Sequence, residues 1–355
     1  MVVLRSPVAL HGEDLRSVAQ FDVSAGETIP FTLSYSPSHL PIPHCIAAVD
    51  ALEQTRRYWS EWTGNCEYAG FRREAVVRSL ITLRALCYEP TGGIVAAPTT
   101  SLPEKPGGPR NWDYRYCWLR DATLTLLAFM NAGYSAQAGA WRDWLVRALA
   151  GSPSQMQIMY GVAGERRLTE WQVPWLPGYE ASSPVRIGNA AYSQLQLDVY
   201  GEVMDALHQA RLAGLQRNEP AWALQLALLA HLETIWREPD YGIWEVRSAP
   251  RFFTYSRVMA WVAFDRAVKG VEQLGLSGPV DRWRALRDEI HKDVCARGFD
   301  AVRNTFVQSY GASTLDASLL LLPAVGFLPV GDPRIQGTIA AIYMEIGRAS
   351  CRERV

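Results

Sequence analysis

Residues 122–130 read ATLTLLAFM, apolar almost all round, as expected of a helix covered on both sides. Other segments share the helical period but keep a polar face. Within 73–87, Val76, Leu80, Leu83 and Cys87 fall on one side, and 195–207 and 221–235 carry broad apolar faces. Val258, Met259, Trp261, Val262 and Phe264 mark a further helix. Trp283, Leu286, Ile290 and Val294 alternate with Arg282, Arg284, Arg287 and Asp288, the pattern of an outer, half-solvated helix. Very apolar helices mixed with amphipathic ones fit a double-layered toroid, inner helices wrapped by outer ones. They fit an irregular helical bundle equally well.

The first 40 residues follow a different period. Ala19, Phe21 and Val23 alternate with polar residues, residues 24–27 (SAGE) read as a turn, and Ile29, Phe31, Leu33 and Tyr35 alternate again. Two strands do not make a stable unit alone, so they pack on the next domain or end a sheet that starts earlier. Pro37, Pro41 and Pro43 then mark a linker. Long polar, aromatic and Gly/Pro-rich connections at 91–118, 151–189, 238–254 and 296–314 separate the helices. Connections of that length in a compact domain are usually functional, and at one end of a helical barrel they would form a pocket.

Composition narrows the function classes. The 35 basic and 36 acidic residues create no global field for nucleic acid or an anionic membrane, and no apolar run approaches the ~20 residues of a membrane span. Residues 1–13 lack the layout of a signal peptide. Cys45, Cys66, Cys87, Cys117, Cys295 and Cys351 are scattered with no C-x-x-C pair, which favours free thiols in a reducing compartment and a cytoplasmic protein. There is no P-loop, G-x-G-x-x-G or G-x-S-x-G, and the six His show no ligand spacing, so neither cofactor nor metal is expected. The 13 Trp and 15 Tyr suit a core, and they also suit a sugar site, where rings stack and hydroxyls need donors.

Two clusters set carboxylates among aromatics. In 111–121, NWDYRYCWLRD, the rings of Trp112, Tyr114, Tyr116 and Trp118 surround Asp113, Arg115, Arg120 and Asp121 just before the apolar helix. Asp121 caps that helix or pairs with Arg120 on one reading; on the other, Arg120 and Asp121 bind sugar hydroxyls. In 239–247, PDYGIWEVR, Glu245 follows Trp244 with Tyr241 close by. A carboxyl against an indole loses hydration, and its pKa rises toward that of a general acid. Alternatively Glu245 is a surface residue paired with Arg247. Glycoside hydrolysis needs a second carboxyl, for which Asp113, Asp121, Glu180 and Asp240 are candidates without a favourite.

At these residues the chain resembles glycoside hydrolase family 15, which holds glucoamylases, glucodextranases and the bacterial and archaeal trehalases. The likeness lies in TTSLPEKPGGPRNWDYRYCWLRDATLTLLAFMNAGY (99–134), GYEASSPVRIGNAAYSQLQLDVYGEV (178–203), YGIWEVRSAPRFFTYSRVMAWVAFDRAVK (241–269) and QSYGASTLDASLLLLPAVGFLP (308–329). It leans to the bacterial trehalase-like branch. The resemblance implies a mostly α protein, an (α/α)6 barrel preceded by a β-sandwich domain, and an inverting exo-attack on α-glucosidic bonds without metal or cofactor. It makes Glu245 the general acid. Arg120 and Asp121 would hold the terminal glucose, Tyr114 and Trp118 would line that subsite, Trp244 would lie against the acid, and Arg186 and Asn189 would sit on the facing loop.

The likeness also implies what is missing. Residues 1–40 match only the last strands of the family's β-sandwich, 41–344 a partial barrel, and the family's general base lies in a later segment with no counterpart here. The tail 345–355, EIGRASCRERV, does not continue the pattern and resembles a translated sequencing adapter, so Cys351 would not be native. The expectation is an α-glucoside hydrolase acting on trehalose or α-glucan ends, inactive as this 355-residue chain. A non-catalytic carbohydrate-binding helical protein and a phosphorolytic α-glucosidase remain alternatives. The expected ligand is a small carbohydrate, not nucleic acid or membrane.

Overall fold

Helical periodicity becomes helix throughout the larger part of the chain. The structure, a computed structural model, describes the backbone of residues 1–352 and the side chains of residues 1–345. Strands β1 (Val2–Arg5), β2 (His11–Glu13), β3 (Arg16–Val18) and β4 (Thr32–Tyr35) come first. Helices follow: α1 (Ala48–Gly64), α2 (Arg73–Ala85), α3 (Leu119–Asn131), α4 (Ala136–Ala148), α5 (Asp198–Leu212), α6 (Glu219–Ile235), α7 (Thr254–Leu274), α8 (Val280–Arg297) and α9 (Pro333–Arg352). The connections between helices hold short antiparallel pairs, among them Cys117–Trp118 with Met159–Tyr160 and Trp171–Gln172 with Arg186–Ile187.

The chain divides into two compact units, Met1–Glu67 and the remainder from Tyr68. In the first, β1 pairs with β4, Val2 opposite Tyr35, and β2 pairs with β3. The strand expected at 19–23 is absent. Glu27 N–H closes the turn on Ser24 O at 3.0 Å, and the Phe21 and Phe31 rings meet at 5.6 Å, so a ring contact replaces the ladder there.

In the second unit α3, α5 and α7 lie side by side, with α4, α6 and α8 packed outside them. This is the layering of a helical barrel, and it decides between the toroid and the irregular bundle. Helix α7 is buried from Thr254 to Val268 without a break, and α5 from Asp198 to His208. Helix α8 buries only Trp283, Leu286, Ile290 and Val294, the stripe read from its sequence. Each such apolar side chain contributes about 1.5–3 kcal/mol of burial. Helix α3 is covered less completely than its composition suggests, since Leu124 is 50% exposed.

Gly201 explains how closely α5 and α7 approach. A Cβ there would stand 2.2 Å from the carbonyl oxygen of Met259, so the backbones touch and only glycine fits. Helix α9, which continues the backbone through the tail to Arg352, packs on Thr305–Phe306 and on the 3-10 turn Ala317–Leu321. The Cys351 side chain and residues 353–355 lie outside the described residues. Cys45, Cys66, Cys87, Cys117 and Cys295 are free thiols, of which Cys66 and Cys117 are buried. Among the described residues no helix is long and apolar enough to cross a membrane.

Candidate active site

The inner helices all begin at one end of the barrel, and the long connections converge there. Trp118 is the residue before α3, Gln196 lies just ahead of α5, and the 238–254 connection leads into α7. The bridge Asp240–Arg251 closes the 238–254 connection on itself, and Phe253–Ser309 ties it to the 296–314 connection. Helix N-termini present unpaired N–H groups and the positive end of the helix dipole, which favours carboxylates. Asp121 and Asp198 occupy the first turns of α3 and α5.

Glu245 stands in a tight turn at this end. Gly242 adopts φ 65°, where a Cβ would strike the Phe253 ring at 2.8 Å. Glu245 N–H then donates to Gly242 O at 3.2 Å, and Glu245 itself takes φ 52°. A left-handed conformation costs a non-glycine residue about 1–2 kcal/mol, and the side-chain bonds offset it. Trp118 Nε1–H donates to Glu245 Oε1 at 2.6 Å, and Arg120 Nη2 donates to the same oxygen at 3.3 Å. Arg120 Nη1 donates to Gln196 Oε1 at 2.9 Å and Asp198 Oδ2 at 2.8 Å. Burial pushes the Glu245 carboxyl up. Arg120 and the Trp118 hydrogen bond pull the other way without cancelling it.

Glu245 opens onto a cavity of about 410 Å³, within the range of small-molecule sites. Tyr114, Asn189 and Trp244 share its wall with Trp112 and Arg247. Trp118, Arg120 and Asp121 lie behind Glu245, and the Tyr114 ring packs on Trp118 at 5.7 Å. Arg186 lies behind the wall: Nη1 donates to Pro109 O at 2.9 Å, and its guanidinium covers the Trp112 ring at 4.5 Å. Asn189 serves the loop as well, accepting from Ala191 N–H at 3.0 Å and donating to Asp113 O at 3.3 Å.

Two sequence expectations need correction. The indole bonded to the Glu245 carboxyl is that of Trp118, while the neighbouring Trp244 donates to Asp316. The turn sends adjacent side chains to different walls. Arg247 pairs not with Glu245 but with Glu170, at 3.5 Å, and its guanidinium lies 4.7 Å from the centroid of the Trp112 ring. The candidate second carboxyls are mostly occupied. Asp113 is fully buried, bonded to Arg115 at 2.8 Å and to Gly188 N–H at 3.1 Å. Asp240 is fully buried and accepts from Leu197 N–H at 3.0 Å. Glu180 is exposed, and Asp121 faces the same guanidinium as Glu245. Sequence reasoning did not find Gln196, Asp198, Glu170 or Asp316, whose partners lie on distant segments.

Comparison with known proteins gives a consistent picture. Residues 70–349 match the profile described as glycosyl hydrolases family 15. The trehalase of Thermoplasma acidophilum is 40% identical over 312 residues, covering 88% of this chain and 53% of that protein. The trehalase of Mycobacterium tuberculosis is 39% identical over 343 residues, covering 96% and 50%. The chain thus spans about half the length of the curated relatives it matches. Among solved structures, a glycosidase variant in complex with glucose superposes with TM-score 0.58 at 19% identity, covering 76% of this chain and 68% of that one. A glucoamylase from Saccharomycopsis fibuligera gives 0.53 at 13% identity, covering 72% and 56%. These two likenesses speak for a helical-barrel fold, and the sequence relatives and profile go further: the chain belongs to glycosyl hydrolase family 15.

Proposed function

We propose that the chain carries the acid half of an inverting α-glucoside hydrolase site, with trehalose the first substrate and maltooligosaccharide or α-glucan ends the second. The observation that carries this reading is the Glu245 carboxyl at the cavity, held by an indole and a guanidinium and raised in pKa by burial. Both bonds fall on Oε1, so the neutral form carries its proton on Oε2. Glu245 donates that proton to the bridging oxygen as the C–O bond breaks, and water attacks the ring from the opposite face. Tyr114 and Trp244 supply aromatic surface, Trp118 backs the acid, Arg120 and Asp121 face the terminal ring behind the acid, and Arg186 and Asn189 shape the wall. The names of the relatives favour trehalose.

A base must activate that water, with its carboxyl about 6.5–9.5 Å from that of the acid. Asp113, Asp198 and Asp240 are each bonded inside the fold, Asp121 faces the guanidinium that Glu245 shares, and Glu180 is exposed, so we assign the base to none of them. The 355-residue chain is then expected to bind α-glucosides without turning them over. The test is calorimetric titration with trehalose and maltose, plus glucose release assayed beside the Mycobacterium tuberculosis trehalase. Binding is expected, with turnover at least about a thousandfold lower, the scale of acid–base catalysis. Turnover equal to the relative's would sink the assignment of the base, and absence of both binding and turnover would sink the α-glucoside reading.

A further inference from the structure

Trp244 is 57% exposed on the cavity wall, yet its indole N–H is fully engaged. It donates to both carboxylate oxygens of Asp316, at 3.0 and 2.9 Å, across 72 residues of chain. Asp316 is only 5% exposed. Two more donors fix its carboxylate: Ser318 N–H at 2.8 Å on Oδ1 and Gln308 Nε2 at 3.1 Å on Oδ2. Its backbone precedes the Ala317–Leu321 turn, which packs on α7 through the buried Leu319. A charged acceptor with donors on both oxygens is a stiff anchor.

Neighbouring side chains are therefore tied to different walls. Glu245 is bonded inward, to Trp118 and Arg120. Trp244 is bonded sideways, to Asp316 on the connection that the Phe253–Ser309 bridge ties to its own. A clamped edge with an open face is what an aromatic sugar platform needs, because stacking is strongest when the ring is not free to rotate. The platform is the exposed one, whereas Trp118 is 2% exposed. A ring stacked on Trp244 would thus lie on the outer, leaving-group side of the bond that Glu245 protonates.

We propose that Asp316 is a positioning residue that holds the Trp244 indole as a fixed platform for the outer ring of an α-linked disaccharide. This rests on the α-glucoside reading above. The test has two arms on the whole chain. In the first, tryptophan indoles are labelled with 15N and the Trp244 resonance is identified as the one lost in Trp244→Phe. Asp316→Asn should shift that resonance and speed its exchange with water about tenfold, as expected for a lost bond to a charged group. In the second, a sulfur-linked maltose and free glucose are titrated. Asp316→Asn should weaken the disaccharide about tenfold and glucose less than twofold. Placed on Trp244→Phe, Asp316→Asn should add nothing further, since it acts through the indole. Should Asp316→Asn fail to fold, Trp244→Phe removes the same bond from the exposed side and should weaken the disaccharide by a similar factor.

An unmoved indole resonance overturns the proposal, as do additive losses in the double variant, equal losses for glucose, or full disaccharide affinity in Trp244→Phe. If the wild-type chain binds no α-glucoside, the functional reading fails and the platform with it. The indole resonance then still decides whether Asp316 clamps Trp244.

Discussion

Arg120 and Arg266 are both buried among the inner helices, and they are held in different ways. Arg266 on α7 donates Nε to Asp205 at 2.6 Å, Nη1 to Asp265 at 2.5 Å and Nη2 to Val325 O at 2.9 Å. Asp265 also meets Lys269 at 2.8 Å. That cluster is saturated: each nitrogen of the fork has a short, fixed partner. Arg120 on α3 is tight on one side, through Gln196 and Asp198, and loose on the other, where Nη2 reaches Glu245 only at 3.3 Å. The loose side is the side at the cavity. Burial and charge do not distinguish the two arginines; what differs is the last bond, which for Arg120 goes to the proposed acid at the cavity.

The largest effect should come from breaking the saturated cluster. Arg266→Met leaves Asp205 and Asp265 buried without their main partner and should destabilise the fold by about 3–5 kcal/mol, read from the urea midpoint, with sugar affinity of the folded fraction unchanged. Arg120→Met strands one buried carboxylate, Asp198, where Arg266→Met strands two, and should lose less, about 3 kcal/mol. Its distinctive loss should be at least about tenfold in trehalose affinity. Equal stability losses with no change in binding for either variant would erase the distinction between the two arginines.

Glu202 tests the ground between them. It lies one turn along α5 from Asp198, accepts from Tyr255 Oη–H at 3.0 Å, and has its pKa pushed up to about 8, by burial first and then by Asp198. Between the ordinary value of 4.5 and about 8, the folded state keeps a proton that the unfolded state has released. The stabilising contribution is therefore full below 4.5 and falls as pH rises to 8. Glu202→Gln should flatten that part of the stability–pH curve, and an unchanged slope would show that Glu202 ionises normally. Glu245→Gln should have the smallest effect on stability, neutral to about 1 kcal/mol stabilising at pH 7, because the raised carboxyl already resists ionisation. A clear loss of stability there would mean that the Arg120 bond holds the charged form.

The helical faces were legible because burial follows a local period. The α8 stripe of Trp283, Leu286, Ile290 and Val294 is an instance. Glu245 was legible as a carboxyl among aromatics, and its family match sharpened it. Its true indole partner was not legible from spacing, because Trp118 lies 127 residues away, and the turn at Gly242 determines where each side chain goes. Asp198 and Gln196 carry no signal of their own, since it is the fold that brings Arg120 onto them. Asp316 caps the Ser318 N–H locally, and nothing in its neighbourhood announces Trp244. Pairings across distant connections depend on the closed loops, which carry no periodic signal.

The left-handed backbone at Glu245 has a practical consequence for engineering. Glycine and asparagine suit that conformation better than glutamate does. Either change gives up the Trp118 and Arg120 bonds, so a library screened only for heat resistance should accumulate Glu245→Gly or Glu245→Asn where a second change satisfies those donors. Durability and chemistry pull this position in opposite directions, and a thermostabilisation campaign that ignores turnover would discard the proposed acid among its early gains.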